Sequence, residues 1–280
     1  MSETADIWTF DDAQVSVWRN APELWGRKTA AVGGFCCETA EAGSAALIET
    51  TLRLREEGFD AVLGPMDGDT WGAHRLVVES DGRPPFLMEP RNPDHYPDAF
   101  NRAEFEIVGR YISADRPAAS PLSETPPAPG VKLRNLDLNA FETELTRIFD
   151  LSLETFAQNA FYKPIERDAF LASYAPVKGF VDPDLVFLAE DEEGRLKGFL
   201  FGIPNFAEGP ETKTAILKTY ASAAKGVGSM LANAFHERVR DKGFTNVIHA
   251  LMHADNLSAS HSANTGGGVF RRYALWGKML

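Results

Sequence analysis

Hydrophobic and polar positions change period repeatedly along this chain, and the changes predict strands alternating with helices. In the second half, Val131 to Leu136 alternates as a half-buried strand does. Asn139 stands where a helix N-cap would. From Ala140 to Phe156, the residues Phe141, Leu145, Ile148, Phe149 and Leu153 recur at helical spacing. Pro164 suits the first turn of a second helix. Two strands follow, Leu185 to Glu190 and Leu196 to Pro204, joined by the turn Asp191 to Gly194. A strand from Thr214 to Ala221 then runs into a glycine loop, Ala223 to Ser229. Behind the loop, Val227, Met230, Leu231, Ala234, Phe235 and Val239 form one face of a helix that Gly243 ends. Asn246 to Met252 reads as a strand, Asp255, Asn256 and Ser258 as a helix start, and Val269 to Lys278 as a closing strand.

The first half repeats part of this pattern. Arg55 to Phe59 (REEGF) precedes the apolar run Ala61 to Leu63, and Arg240 to Phe244 (RDKGF) precedes Val247 and Ile248. Gly43 and Gly228 stand the same distance upstream, with no gaps, as duplicated helix–strand units require. The copy predicts a strand over Arg27 to Cys37, a helix over Glu41 to Glu57 and a strand over Phe59 to Pro65. Between the halves, Asp115 to Gly130 holds five prolines and little to bury, which predicts an extended connector. The expected organisation is therefore residues 1–114, a linker at 115–130, and residues 131–280.

Composition narrows the possibilities modestly. A chain of 280 residues with 44% hydrophobic and 24% charged residues is of ordinary globular type. Its net charge of -12 argues against a nucleic-acid partner, whose phosphates would be repelled. No apolar stretch reaches the length that spans a bilayer, and the N-terminus has no signal-peptide pattern, so a cytoplasmic location is expected. The only cysteines are the neighbours Cys36 and Cys37, a pairing too strained for a structural disulfide. A hydrolase finds no support, because neither a G-x-S-x-G elbow nor a suitable Cys/His setting is present.

The residues Lys225-Gly226-Val227-Gly228, set between a strand and an amphipathic helix, match the second half of an R/Q-x-x-G-x-G/A loop. With the helix ending at Lys242-Gly-Phe244, the downstream Asp255-Asn256 and the run Gly266 to Tyr273, the second half resembles the GNAT superfamily of acyl-CoA N-acyltransferases. Gly64-Pro-Met66 and Arg91 to Tyr96 are similar to bacterial tandem members of that superfamily. The resemblance implies an α/β (α+β mixed sheet) fold, two GNAT-like domains in tandem, the first degenerate. It also implies acetyl-CoA as cosubstrate. No cysteine or carboxylate completes a ligand set with His249, His253 and His261, so no metal is expected. Physics supports the loop independently, because glycines let backbone N–H groups converge on a pyrophosphate at a helix N-terminus. Lys225 adds a full positive charge beside it.

By the resemblance, Leu217, Lys218, Thr219 and Tyr220 run beside the pantetheine arm, and Lys225, Gly226, Val227, Gly228 and Ser229 cradle the pyrophosphate. Asn256 and Ser258 complete the cofactor set. The pattern departs at Ala223, where Arg or Gln is usual, and at Ala263, where many relatives carry the tyrosine that protonates the thiolate. The substitutes considered are Tyr220, His249 and His253, with Glu190 (beside Glu208 and Glu211) as base. His249 and His253, four apart in a strand, are expected to face one side. In the first half Glu41 replaces Gly226 and Ala40 replaces Lys225, and a carboxylate repels a pyrophosphate. That half is expected to hold no coenzyme and to wall an acceptor cleft with Trp18, Trp25, Trp71, His95 and Tyr96.

The resulting expectation is an acetyltransferase acting on the primary amine of a small molecule, as a monomer (an internal pseudo-dimer) or a homodimer. Two other classes stand beside it: a non-catalytic acyl-CoA-binding module, and an aminoacyl-transferase on a doubled GNAT fold, against which the acidic balance counts.

Overall fold

The computed structural model describes residues 4–254 and 268–280. Among these, the chain forms β1 (Asp6–Phe10), β2 (Ala13–Trp18), β3 (Thr29–Cys37), α1 (Ala40–Glu56), β4 (Ala61–Gly64), β5 (Leu76–Ser80), α2 (Tyr96–Arg102) and β6 (Glu106–Pro117). It continues with β7 (Lys132–Asn135), α3 (Phe141–Phe156), α4 (Arg167–Tyr174), β8 (Val186–Glu190), β9 (Leu196–Pro204), β10 (Thr214–Ser222), α5 (Val227–Asp241), β11 (Asn246–His253) and β12 (Gly268–Met279). The elements expected in the second half are present within a few residues of their bounds, except that the helix start expected at Asp255 to Ser258 lies outside the described residues. The strands β1, β2, β5 and β6 and the helix α2 lie outside the elements expected from the sequence.

Two compact units divide the chain, and the proline-rich stretch is not where they part. The first comprises 1–111, 159–163 and 271–280, and the second 112–158 and 164–270. The expected boundaries fail for a physical reason at each place. A connector has nothing to bury, but Ala118 and Ala128 lie in the second unit's core with Leu217, Val227 and Leu231. The closing strand β12 finds its partners in the first unit, with Trp276 opposite Gly64 and Tyr273 opposite Val77. Trp276 is buried, stacks on Phe100 at 5.4 Å, and donates from Nε1 to Asn101 Oδ1 at 3.0 Å.

The first unit has the strand order β1-β2-β3-β4-β12-β6, with β5 also on β12. Helix α1 starts at Thr39, whose side chain accepts from the Ala42 N–H. It buries Ala46, Leu47 and Leu54 against Val15, Val17, Val32 and Val62. The second unit has the order β6-β11-β10-β9-β8-β7. Helix α5 lays Val227, Leu231, Phe235 and Val239 on Phe187, Leu200, Ala215, Leu217 and Val247.

The gapless repeat seen in the sequence is a repeat of structure. β3 and β4 pair in parallel as Thr29↔Ala61, Ala30↔Val62 and Ala31↔Leu63. β10 and β11 pair in parallel as Thr214↔Asn246, Ala215↔Val247, Ile216↔Ile248 and Leu217↔His249. Every residue of the first set corresponds to one of the second at the spacing that relates Gly43 to Gly228. Both copies also carry an irregularity on the other edge, one residue apart in the repeat: between Gly33 and Cys36 in β3 and between Leu217 and Thr219 in β10.

Candidate cofactor cleft

The parallel register of β10 and β11 stops at Leu217 and His249, although β10 continues to Ser222 and β11 to His253. On its far side β10 stays paired with β9, through a bulge at Lys218, as far as Ser222 opposite Gly198. A bulge bends its strand and adds local twist. At Leu251 the backbone of β11 turns left-handed (φ 56), and its N–H donates to Ser113 Oγ of β6. The two parallel strands therefore begin paired and then part.

The glycine loop lies at the end where the strands part. Ala223 N–H donates to the Lys197 carbonyl, and Val227 N–H to the Ala224 carbonyl. The first helical bond of α5 runs from Met230 N to Gly226 O at 3.1 Å. Gly228 and Ser229 thus present their N–H groups in the first turn, where no intrahelical acceptor exists. Gly226 is the N-cap with φ +86, a conformation that strains any residue with a Cβ. Lys225 is exposed beside it. These residues follow Leu217, Lys218, Thr219 and Tyr220 of β10 along the chain, at the end where β10 and β11 part. Asn256 and Ser258 lie outside the described residues, as does Ala263.

The corresponding place in the first unit is closed by the chain itself. Met66 N–H donates to Val32 O at 2.8 Å, and Asp67 Oδ1 accepts from Gly34 N at 2.8 Å. By the repeat, Val32 and Gly34 stand where Leu217 and Thr219 stand in β10. Burial raises the Asp67 carboxyl above its ordinary range, and the Gly34 N–H partly offsets that. Gly43, the counterpart of Gly228, has no room for a side chain: a Cβ there would lie 2.7 Å from Cys37 Sγ and 2.9 Å from Ala99 Cβ and Phe35 Cζ. At Gly228 the nearest atoms would be Ser222 Oγ at 3.3 Å and Tyr220 Cε2 at 3.5 Å.

The aromatic wall proposed from sequence is dispersed within the first unit. His95 Nε2 donates to the Cys37 carbonyl, and Tyr96 sits edge-on to Phe35 at 5.1 Å. Trp18 packs near Gly68, and Trp25 is exposed. Trp71 donates from Nε1 to the Lys163 carbonyl at 2.8 Å and meets the Tyr162 ring.

The acid and base candidates occupy separate surroundings. The Tyr220 ring lies beneath the first turn of α5 at Gly228, and burial pushes its hydroxyl up. His249 is buried with its Nε2 3.1 Å from His236 Nε2 of α5, so one ring donates and the other accepts. The left-handed Leu251 breaks the two-residue alternation between His249 and His253, which removes the basis for placing both on one side.

Glu190 is engaged structurally. Its Oε1 receives Arg134 Nη2 at 2.7 Å and Arg147 Nη1 at 2.6 Å, and the buried Glu144 shares Arg134. The Arg134 hydrogen bond, followed by that of Arg147, holds the Glu190 carboxyl below its usual range against an opposing effect of burial. A carboxylate so held is a poor proton acceptor. Because the folded pKa is depressed, its contribution to stability is present above the unfolded value of about 4.3 and is lost as pH falls through the folded value. Urea midpoints at pH 6 and pH 3.5 should differ less in Glu190→Gln than in the wild type; an unchanged difference would refute the assignment.

Comparison with solved structures places this architecture. A GCN5-related N-acetyltransferase from Sphaerobacter thermophilus superposes with a TM-score of 0.56 at 12% identity, over 96% of this chain and 76% of that one. A tandem GNAT protein from the clavulanic acid biosynthesis pathway gives 0.54 at 12% identity, over 96% and 79%. A probable N-acyltransferase from Enterococcus faecalis gives 0.56 at 10% identity, over 96% and 59%. No protein-family model matches the sequence, and no curated protein matches it. The chain is a mixed α/β protein with the GNAT acyl-CoA N-acyltransferase fold. Among the structures that share the fold, one is named a GCN5-related N-acetyltransferase and another a tandem GNAT protein. No helix among the described residues is long and apolar enough to cross a membrane.

Proposed function

We propose that the protein transfers an acetyl group from acetyl-CoA to a primary amine of a small molecule, using the cleft of the second unit. The observation that carries this reading is the parting of β10 from β11 beyond Leu217 and His249, with the Gly226–Ser229 turn at its end. The pantetheine amides would bond to β10 beyond the bulge, and the pyrophosphate would meet the first-turn N–H groups and Lys225. The thioester would then lie where the strands part. There the amine nitrogen attacks the carbonyl carbon, the carbon–sulfur bond breaks, the ammonium gives up its proton, and the thiolate takes one. Alignment supplies most of the acceleration, since it makes a two-body reaction effectively unimolecular.

We take the acceptor to be a small molecule rather than a protein. The net charge of -12 suits a cationic amine. The test is a screen of primary amines with acetyl-CoA, reading released thiol and acetylated product. Turnover on at least one small amine supports the reading. Tight coenzyme binding with no turnover on any amine would favour the non-catalytic alternative.

A further inference from the structure

The proline-rich stretch after β6 is a strap laid along α5, and its attachments are few. Ser123 N–H donates to Asn233 Oδ1 and Asn233 Nδ2 donates to Ser123 O, both at 2.9 Å. Ala128 N–H donates to Met230 Sδ at 3.0 Å, and Arg116 Nη2 donates to the Pro121 carbonyl at 2.7 Å. Prolines 121, 126, 127 and 129 have no N–H to add, and Glu124, Thr125, Pro126 and Pro127 are exposed. The contacts therefore follow one stripe of α5, from Asn233 through Met230 to its N-cap. There the strap reaches the glycine loop, with the Pro126 carbonyl oxygen 3.1 Å and the Ala128 nitrogen 3.4 Å from where a Gly226 Cβ would stand. The strap leaves this contact through Gly130 (φ +69).

We propose that this strap, from Ala118 to Pro129, is a displaceable lid on the cofactor loop. The docked strap sets the negative end of the Pro126 carbonyl dipole beside the helix N-terminus that a pyrophosphate would use. Strap and pyrophosphate thus compete for one face of the loop. The strap is held at its start by the Ala118 N–H on the Thr245 carbonyl and by Arg116 on the Pro121 carbonyl; beyond that, two amide bonds to Asn233, one N–H···S contact and buried Ala128 fasten it. So thin an attachment belongs to the low-stability end of a fold, from which moving lids are drawn. Coenzyme binding lifts the strap, and its latch lowers the coenzyme's affinity.

The inference rests on the acyl-CoA reading, and its test separates the two. Asn233→Ala and Met230→Leu each remove a latch from the side of α5 while leaving the helix a good helix former. Free coenzyme A, titrated calorimetrically, should bind each variant more tightly than the wild type, by about tenfold for Asn233→Ala, where two hydrogen bonds are lost. Amide hydrogen exchange at Gly226 to Met230 without coenzyme should be faster in both variants. Equal or weaker binding, or unchanged exchange, overturns the lid. Faster exchange with no coenzyme binding by any form would leave the latch standing and overturn both the competition and the acyl-CoA reading.

Discussion

Gly228→Glu should lower acetyl-CoA affinity by at least about a hundredfold while leaving the protein folded. The substitution falls in the first turn of α5, where an acidic residue suits the helix dipole and glycine is the poorer helix former. The first side-chain carbon would meet Ser222 Oγ at 3.3 Å, the end of a rotatable side chain that needs to move only a few tenths of an ångström. A carboxylate placed there would face the pyrophosphate at short range. One like-charge contact near 4 Å at a protein surface costs on the order of 4 kcal/mol. Gly228→Ala separates shape from charge: it should raise the melting temperature slightly and weaken binding less. Calorimetric titration with melting curves reads both effects, and wild-type affinity in Gly228→Glu would refute the pyrophosphate assignment. Gly226 is the poorer position to probe, because its positive φ and the nearby Pro126 carbonyl make any side chain there a folding defect.

The second large effect lies in the first unit. Glu89 has no exposed side-chain surface, and its Oε2 receives Arg271 Nη1 at 2.6 Å and Phe86 N at 3.0 Å. Its Oε1 receives the Tyr273 hydroxyl. Arg271, itself almost wholly buried, also donates to the Arg83 carbonyl at 2.6 Å. This cluster fastens the start of the unit's β12 segment. Glu89→Ala leaves a buried guanidinium without its carboxylate, which should cost about 3–5 kcal/mol. Against a total of about 5–15 kcal/mol, that is a large fraction of the fold's stability. The paired change Glu89→Leu with Arg271→Met removes both charges and should recover most of the loss. Urea unfolding of the three proteins is the measurement, and a loss below about 1 kcal/mol in Glu89→Ala would show that the pair contributes little.

How far the sequence could be read follows from what each signal reports. The repeat was legible because identical spacing between Gly43 and Phe59 and between Gly228 and Phe244 fixes both helix length and strand register. The closure of the first copy was signalled by Glu41 and Ala40 in place of Gly226 and Lys225, and Glu41 proves exposed and paired with Arg102; the closing residues, Met66 and Asp67, lie beyond the repeated segment. The proline-rich stretch was misread because composition reports what a segment lacks, not what two alanines and an asparagine 110 residues away can hold. The expectation that His249 and His253 share a side assumed a regular strand, and no sequence signal announces a left-handed leucine between them. Glu190 carried no mark of its two arginines, one in β7 and one in α3. The acid and base stayed hidden for a related reason: such roles depend on orientation across elements, and spacing within one element does not determine it.

The most direct test of where coenzyme binds is to follow backbone amide resonances as coenzyme A is added to the wild-type protein. The largest shifts should fall on Lys218 to Ser222, Gly226 to Met230 and Ala250 to His253, with Gly33 to Gly43 unaffected. Shifts centred on Gly33 to Gly43, or none at all, would contradict a single working cleft in the second half of the chain.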